Sequence, residues 1–192
     1  MELFPHEFHF QSFLTGIAEM LQIKAHQKGL EFIYKNNPQL PEAIYADEKR
    51  LRQVLINLLG NAVKYTKQGS VTFQANIIGN LRSKDKAAKK VKVRFLVEDT
   101  GIGMSQGQIE KIFKPFEQVG DGPRIAEGTG LGLSIAQNIV KLMGSEIHVK
   151  STLGQGSTFW FDVELSERKV GVVWQFSNML ESKAIGEKCG RF

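Results

Sequence analysis

Apolar residues recur along the chain with two periods, one typical of helices and one typical of strands. In residues 10–28 and 47–65 they follow at steps of three and four, which predicts two amphipathic helices, the second capped by Asp47. Residues 131–143 have the same period and predict a third long helix, and a short helix is predicted over residues 106–113.

Strand-like segments, with apolar and polar residues in alternation, lie between these helices. They cover residues 30–34, 44–45, 71–78, 93–97, 147–151 and 158–165. This order predicts an α+β fold, a mixed and mostly antiparallel sheet covered on one face by about three helices. We expect one domain over residues 1–165. Residues 166–192 are expected to be a tail, with a possible strand at 170–174, that forms either a linker or a truncated extension.

Composition excludes several classes of protein. Hydrophobic residues make up 42% of the chain, which indicates a packed core, and the lone Cys189 allows no internal disulfide. No apolar stretch approaches the roughly 18 residues of a membrane span. We therefore expect a cytoplasmic domain that makes no direct membrane contact. This expectation is compatible with a membrane anchor elsewhere in the parent protein.

The net charge of +5 is concentrated in residues 82–92, which hold six basic residues and one acidic residue. These basic residues lie between two predicted strands and have no aromatic residues among them. Nucleic-acid surfaces combine basic and aromatic side chains. The segment is therefore interpreted as a solvated hairpin loop, and no nucleic-acid partner is expected.

The second helix carries a polar stripe beside its apolar one. At about 100° per residue, Asn57, Asn61 and Lys64 fall within roughly 60° of one another. Two amide oxygens one turn apart can complete the shell of Mg²⁺, which prefers few protein ligands together with phosphate oxygens. Lys64 would then meet the phosphate as a point charge. The ordinary polar face of an amphipathic helix is the alternative for this segment alone.

An acid and two glycines follow the strand at 93–97. The buried carboxylate of Asp99 can accept a hydrogen bond from an adenine amino group, and Gly101 and Gly103 let the backbone approach a ligand closely. A tight turn with a surface aspartate is the alternative.

Two further segments lie at the ends of a glycine-rich stretch at 119–130, one before it and one overlapping its last residues. Residues 128–133 (GTGLGL) open the third helix, where backbone N–H groups can bind an anion. Residues 113–116 (FKPF) precede the stretch, and their two phenylalanines are expected to anchor it in the core so that it can close over a ligand as a lid. A flexible loop is the alternative, and neither a Rossmann fingerprint nor a P-loop is present.

In their order and spacing the four segments resemble the catalytic domain of histidine kinases, which belongs with the gyrase, Hsp90 and MutL ATPases. Residues 47–66 resemble the N box, 99–104 the G1 box, 113–116 the F box and 128–133 the G2 box. The resemblance covers about residues 8–165. It implies a two-layer α/β sandwich of the Bergerat type, with an ATP–Mg²⁺ pocket between the N-box helix and the lid.

The resemblance also implies roles for individual residues. Asn61 would bind Mg²⁺ with Asn57 lining the same site, and Lys64 would contact phosphate. The implied nucleotide-binding residues are Tyr65 and Asp99 at the adenine, Gly101 and Gly103 beside it, Thr158 through water on the base side, Lys114 in the F box, and Gly128, Thr129, Gly130, Leu131, Gly132 and Leu133 in the lid and G2 box. The ATP-hydrolysing relatives resemble one another in having a glutamate where this chain has Asn57.

The resemblance implies partners as well. The phosphoacceptor motif of histidine kinases is not matched, because only His6 is followed by a glutamate and the rest of the motif is missing. The acceptor histidine is therefore expected on a separate phosphoacceptor and dimerisation domain of the same kinase, with a response regulator receiver domain downstream. The rival hypotheses are a nucleotide-binding regulatory module without turnover, and a conformational ATPase of the same superfamily, which Asn57 disfavours.

Overall fold

The computed structural model of the chain describes residues 2–81, 89–116 and 130–168. Most of the basic segment, the stretch at 117–129 and the tail at 169–192 lie outside these ranges. The described elements are, in chain order, β1 (His6–His9), α1 (Phe10–Gln27), β2 (Glu31–Lys35), β3 (Ala43–Ala46), α2 (Glu48–Tyr65), β4 (Ser70–Leu81), β5 (Lys90–Asp99), α3 (Gln106–Ile109), α4 (Gly132–Leu142), β6 (His148–Thr152) and β7 (Gly156–Arg168).

The strands form one mixed sheet in the order β1-β3-β7-β5-β4-β2, with β6 paired to β7 outside this path. Only the β2–β4 pair is parallel among the described strands, which confirms the mostly antiparallel sheet. β7 pairs with β5 along most of its length. Its other edge meets β6 at residues 156–160 and β3 at residues 166–168.

The long helices α1, α2 and α4 pack on one face of this sheet, which confirms the predicted two-layer α+β architecture. Every second residue of β5, from Val91 to Val97, is buried in the same apolar cluster as the inward faces of the helices. The residues that alternate with them along the strand, such as Arg94 and Glu98, lie on the opposite, open face. Burial of each large apolar side chain in this core stabilises the fold by about 1.5–3 kcal/mol.

Helices α1 and α2 are each capped at the N-terminus by a side chain. The Asp47 carboxylate accepts hydrogen bonds from the backbone of Arg50 (3.0 Å) and from the backbone of Phe4 (2.8 Å), which confirms the predicted cap of α2. His9 caps α1, because its Nδ1 accepts a hydrogen bond of 3.2 Å from the backbone of Ser12.

The structure differs from the sequence prediction at several element ends. β1 was not predicted, because it is a four-residue edge strand held by pairing to the distant β3. β7 extends to Arg168, beyond the predicted strand end at 165, because its last residues pair with β3. α3 has only four residues, and the chain from 110 to 116 continues in turns and a bend.

Candidate functional site

Helix α2 carries two amides one turn apart, and the first of them contacts the start of α4. Asn57 and Asn61 are both half-buried. The side-chain amide of Asn57 donates a hydrogen bond of 3.1 Å to the backbone carbonyl of Gly132. This bond uses the nitrogen of the amide, so the oxygen remains as an acceptor. The structure therefore brings the predicted N-box and G2 residues together.

The start of α4 is shaped for close approach to α2. A Cβ at Gly132 would lie 3.3 Å from Oδ1 of Asn57, a distance tighter than most contacts of real Cβ atoms. Leu131 occupies the N-cap position without a side-chain hydrogen bond to the first turn. The N-cap side chain thus does not cap the first backbone N–H groups of α4, an arrangement that suits a bound anion. Gly130 precedes this turn at φ 68°, and Leu133 packs against the core.

Asp99, the last residue of β5, is 7% exposed and points to the helical side of the sheet. Its Oδ1 accepts a hydrogen bond of 2.8 Å from the backbone of Gly101, and the backbone of Ser157 also donates to the carboxylate. Burial raises the pKa of Asp99 above its ordinary value of 3.8. The two backbone donors oppose this rise and the nearby charge of Glu98 adds to it.

Gly101 packs closely between Asp99 and the end of α2. A Cβ at this position would lie 2.6 Å from the carbonyl oxygen of Tyr65 and 2.8 Å from Oδ1 of Asp99. The backbone of Ile102 donates a hydrogen bond of 3.3 Å to that same carbonyl of Tyr65. Only a residue without a side chain fits between the carboxylate and the last turn of α2.

Gly103 fixes the other side of the same loop against the turn between β6 and β7. It has φ 62°, and a Cβ there would overlap the carbonyl of Thr152. Gly154 donates a backbone hydrogen bond of 2.7 Å to the carbonyl of Ile102, and the backbone of Met104 donates one of 2.8 Å to Oγ of Ser151. The loop after β5 is therefore held from both sides.

Lys64 and Tyr65 lie in the last turn of α2, next to this loop. The Nζ atom of Lys64 is 5.0 Å from the centroid of the Tyr65 ring, which is cation–π geometry. Both side chains are half-buried. The end of α2 thus places a cation and an aromatic ring close to the loop that carries Gly101.

Thr158 is not brought to Asp99. It pairs with Glu98, and the two residues lie on the open face of the sheet, whereas Asp99 pairs with Ser157 on the helical face. Ser157 is 8% exposed and was missed by the sequence reasoning. The alternation of β7 could have found it, because Phe159, Phe161 and Ser157 share one face at period two.

The F box contributes less than expected to this arrangement. Phe113 packs against the core, but Phe116 is 75% exposed, so the expectation that both rings anchor the loop is wrong for Phe116. The backbone of Phe116 donates a hydrogen bond of 3.2 Å to the carbonyl of Gly130. Lys114 is exposed, and Gly128 and Thr129 lie outside the described residues.

No group of three histidine, cysteine or acidic side chains with metal-binding geometry occurs in the part of the chain that the structure describes. A cation beside Asn57 and Asn61 would have amide oxygens and ligand oxygens around it. That donor set fits Mg²⁺, which takes hard oxygen ligands and few of them from protein. The buried acceptor at Asp99 fits a ligand that carries an amino group.

Comparison with known proteins agrees with this geometry. Residues 46–167 match the family described as histidine kinase-, DNA gyrase B- and HSP90-like ATPases. The chain is 38% identical over 167 residues to the peroxide stress-activated histidine kinase mak2 of Schizosaccharomyces pombe, covering 86% of this chain and 7% of mak2. It is 40% identical over 153 residues to the aerobic respiration control sensor protein ArcB of Escherichia coli, covering 78% of this chain and 18% of ArcB.

Solved structures show the same relationship. Full-length ShkA in complex with AMPPNP is 35% identical, with a TM-score of 0.70, and the match covers 88% of this chain and 33% of ShkA. The catalytic domain of the histidine kinase ThkA is 26% identical, with a TM-score of 0.61, and the match covers 85% of this chain and 95% of that domain.

The chain spans less than a fifth of the two curated relatives described above. Within the described ranges, no helix has both the length and the apolar character needed to cross a bilayer. The family match, the relatives and the fold agree, and the chain belongs to the histidine kinase-, DNA gyrase B- and HSP90-like ATPase family as an ATP-binding catalytic domain of the sensor histidine kinase type.

Proposed function

We propose that this domain binds ATP with Mg²⁺ between α2, the loop after β5 and the first turn of α4. From there it would transfer the γ-phosphoryl group to a histidine on a separate phosphoacceptor domain. The observation that carries the proposal is that α2 contacts both features, the loop of the buried Asp99 through its last turn and the first turn of α4 through the Asn57–Gly132 hydrogen bond. The loop supplies an acceptor for adenine, and the hydrogen bond joins an amide face to an anion-binding helix end.

Asp99 is the proposed adenine contact. Its carboxylate accepts hydrogen bonds only, and the backbones of Gly101 and Ser157 hold its orientation. The exocyclic amino group of adenine is a donor, so the pair is complementary. The ring of Tyr65 and the loop at Gly101 would border the base, and Ser157, which pairs with Asp99, is proposed in place of Thr158 on the base side.

Asn57 and Asn61 are the proposed cation ligands, and Lys64 and the N-terminus of α4 the proposed phosphate contacts. Mg²⁺, when bound, would neutralise phosphate charge and orient the γ-phosphoryl group for in-line transfer. In that transfer the bond between the γ-phosphorus and the β,γ-bridging oxygen breaks, a bond from the acceptor imidazole nitrogen to phosphorus forms, and ADP leaves.

Asn57 also favours transfer over hydrolysis. An amide cannot take a proton from water, so this position lacks the general base with which a carboxylate would activate a water molecule. His6, the histidine that is followed by a glutamate, lies in the edge strand β1, and its Nε2 is 3.3 Å from a carboxylate oxygen of Glu48. This is not a helical acceptor position, so the acceptor is proposed on another domain, and a receiver domain would take the phosphoryl group from it.

Transfer can be tested with radiolabelled ATP, Mg²⁺ and the phosphoacceptor domain of the longer protein to which we propose that the chain belongs. The acceptor domain should gain acid-labile phosphate, weakly because the two parts are not tethered, and the chain alone should gain none. Asn61→Ala should abolish labelling, whereas Asn138→Ala, on the exposed side of α4, should not. Firm ATP binding without transfer to the acceptor would contradict the kinase proposal and favour a regulatory nucleotide-binding module.

A further inference from the structure

The C-terminal end of α2 has a complete set of partners, and one of them comes from α1. The last four carbonyls of an α-helix have no partner within the helix. In α2 all four accept hydrogen bonds: Ala62 from the backbone (3.1 Å) and hydroxyl (2.7 Å) of Thr66, Val63 from Nζ of Lys28 (2.7 Å), Lys64 from the same Nζ (3.0 Å), and Tyr65 from the backbone of Ile102 (3.3 Å).

Lys28 therefore satisfies two consecutive carbonyls with one ammonium group. It is the C-cap residue of α1, where its own backbone N–H donates a 3.0 Å hydrogen bond to the carbonyl of Ala25. Its position is thus set by α1 while its charge lies at the C-terminus of α2. Hydrogen bonds from a charged donor are roughly twice as strong as neutral ones, and a cation at a helix C-terminus also interacts favourably with the helix dipole.

The last turn of α2, which Lys28 contacts, contains two residues of the proposed nucleotide site. Lys64 and Tyr65 belong to it, and the carbonyl of Tyr65 bonds to Ile102 in the loop between Gly101 and Gly103. We propose that Lys28, outside the nucleotide site itself, is a positioning residue that sets the placement of Lys64 and Tyr65 and, through Ile102, of the loop. This inference rests on the proposed nucleotide-binding function of that site.

The test compares Lys28→Met, which keeps most of the apolar stem and removes the ammonium, with Lys28→Arg, which keeps a charged donor. The affinity for Mg²⁺–AMPPNP is measured by calorimetry, and the exchange rates of the Thr66 and Ile102 amides by hydrogen exchange. Lys28→Met should raise Kd about tenfold and speed exchange at both amides, because two charge-assisted hydrogen bonds are lost. Lys28→Arg should recover most of the affinity.

Two control variants separate positioning from general stability. Lys24→Met removes an exposed lysine one turn earlier on α1 and should change neither measurement. Arg94→Met breaks the ion pair with Asp162 on the open face of the sheet, so it should lower Tm while leaving Kd unchanged. An Arg94→Met variant that loses affinity as much as Lys28→Met at equal Tm would show that stability alone explains the effect and would overturn the inference.

The inference would also be overturned if the Kd of Lys28→Met for Mg²⁺–AMPPNP were within twofold of the parent value and the exchange rate of the Ile102 amide were unchanged. A parent protein that does not bind Mg²⁺–AMPPNP would overturn the proposed function instead. In that case the exchange rates of Thr66 and Ile102 still decide whether Lys28 holds the end of α2.

Discussion

The side chain of Asn57 donates a hydrogen bond of 3.1 Å to the backbone carbonyl of Gly132, although 75 residues separate the two in the chain. It ties the middle of α2 to the first residue of α4. The same contact leaves the amide oxygen of Asn57 beside the unoccupied Cβ position of Gly132. One side chain therefore connects the two helices and supplies an oxygen at the junction between them.

Replacing Asn57 with aspartate should break this connection. An ionised carboxylate cannot donate, so Asn57→Asp would place two acceptors opposite each other at Gly132. We expect a loss of about 1–3 kcal/mol in the free energy of unfolding, measured by chemical denaturation at neutral pH. Asn138→Asp, on an exposed position of α4, is the matched control and should be nearly neutral. Equal denaturation midpoints for the two variants would show that the Asn57–Gly132 bond does not stabilise the fold.

The pKa of Asp99 predicts a pH-dependent effect of Asp99→Asn on stability. Because burial raises this pKa in the folded state above the ordinary 3.8, the native protein holds the proton more tightly than the unfolded chain does. The stability that this proton supplies is fully present below pH 3.8 and is lost as the pH rises through the folded-state pKa. Asparagine does not titrate, so the stability of Asp99→Asn relative to the parent should increase across this window and then stay constant.

Urea denaturation of both proteins at a series of pH values measures this difference. The two backbone donors to the carboxylate oppose the rise in its pKa but leave the direction as stated. A difference that falls with rising pH would mean that the carboxylate is stabilised by its surroundings, contrary to the burial that the structure shows.

Gly101 should tolerate no side chain. A Cβ would lie 2.6 Å from the carbonyl of Tyr65 and 2.8 Å from Asp99, so Gly101→Ala must displace the loop or the end of α2. We expect at least a tenfold loss of nucleotide affinity, with destabilisation of about 1–3 kcal/mol typical of overpacking. Gly107→Ala is the control, because a Cβ there meets nothing within 4 Å. An unchanged Kd for Gly101→Ala would place the nucleotide elsewhere.

Much of the fold was predictable from local patterns. The long helices, the Asp47 cap and the alternating strands β4 and β5 follow from periods that single segments contain. β1 and the end of β7 were not predictable from local patterns, because both depend on pairing with β3, which is far away in the chain. Strand pairing of this kind has no local signal in either partner.

The candidate site was predictable in its residue types and less so in its geometry. The loop from Asp99 to Gly103 was identified from its acid and glycines, and the structure places it against the end of α2. The sequence predicts Thr158 on the base side, whereas Ser157 shares the face of Asp99, because one position along a strand moves a side chain to the other face of the sheet. Lys28 was not identified, since a lysine at a helix end has no sequence feature that shows which carbonyls it will reach.

Nucleotide selectivity tests the proposed role of Asp99 most directly. Adenine presents a donor to the buried carboxylate, whereas guanine presents a carbonyl acceptor at the corresponding position, so an acceptor in the protein discriminates between them. Calorimetry with Mg²⁺–AMPPNP and the matching guanine analogue should show the adenine form binding the parent at least about tenfold more tightly. Asp99→Asn, which can present a donor there, should reduce or invert that preference. Equal affinity of the parent for both analogues, or an unchanged preference in Asp99→Asn, would contradict the assignment of Asp99 as the residue that recognises the base.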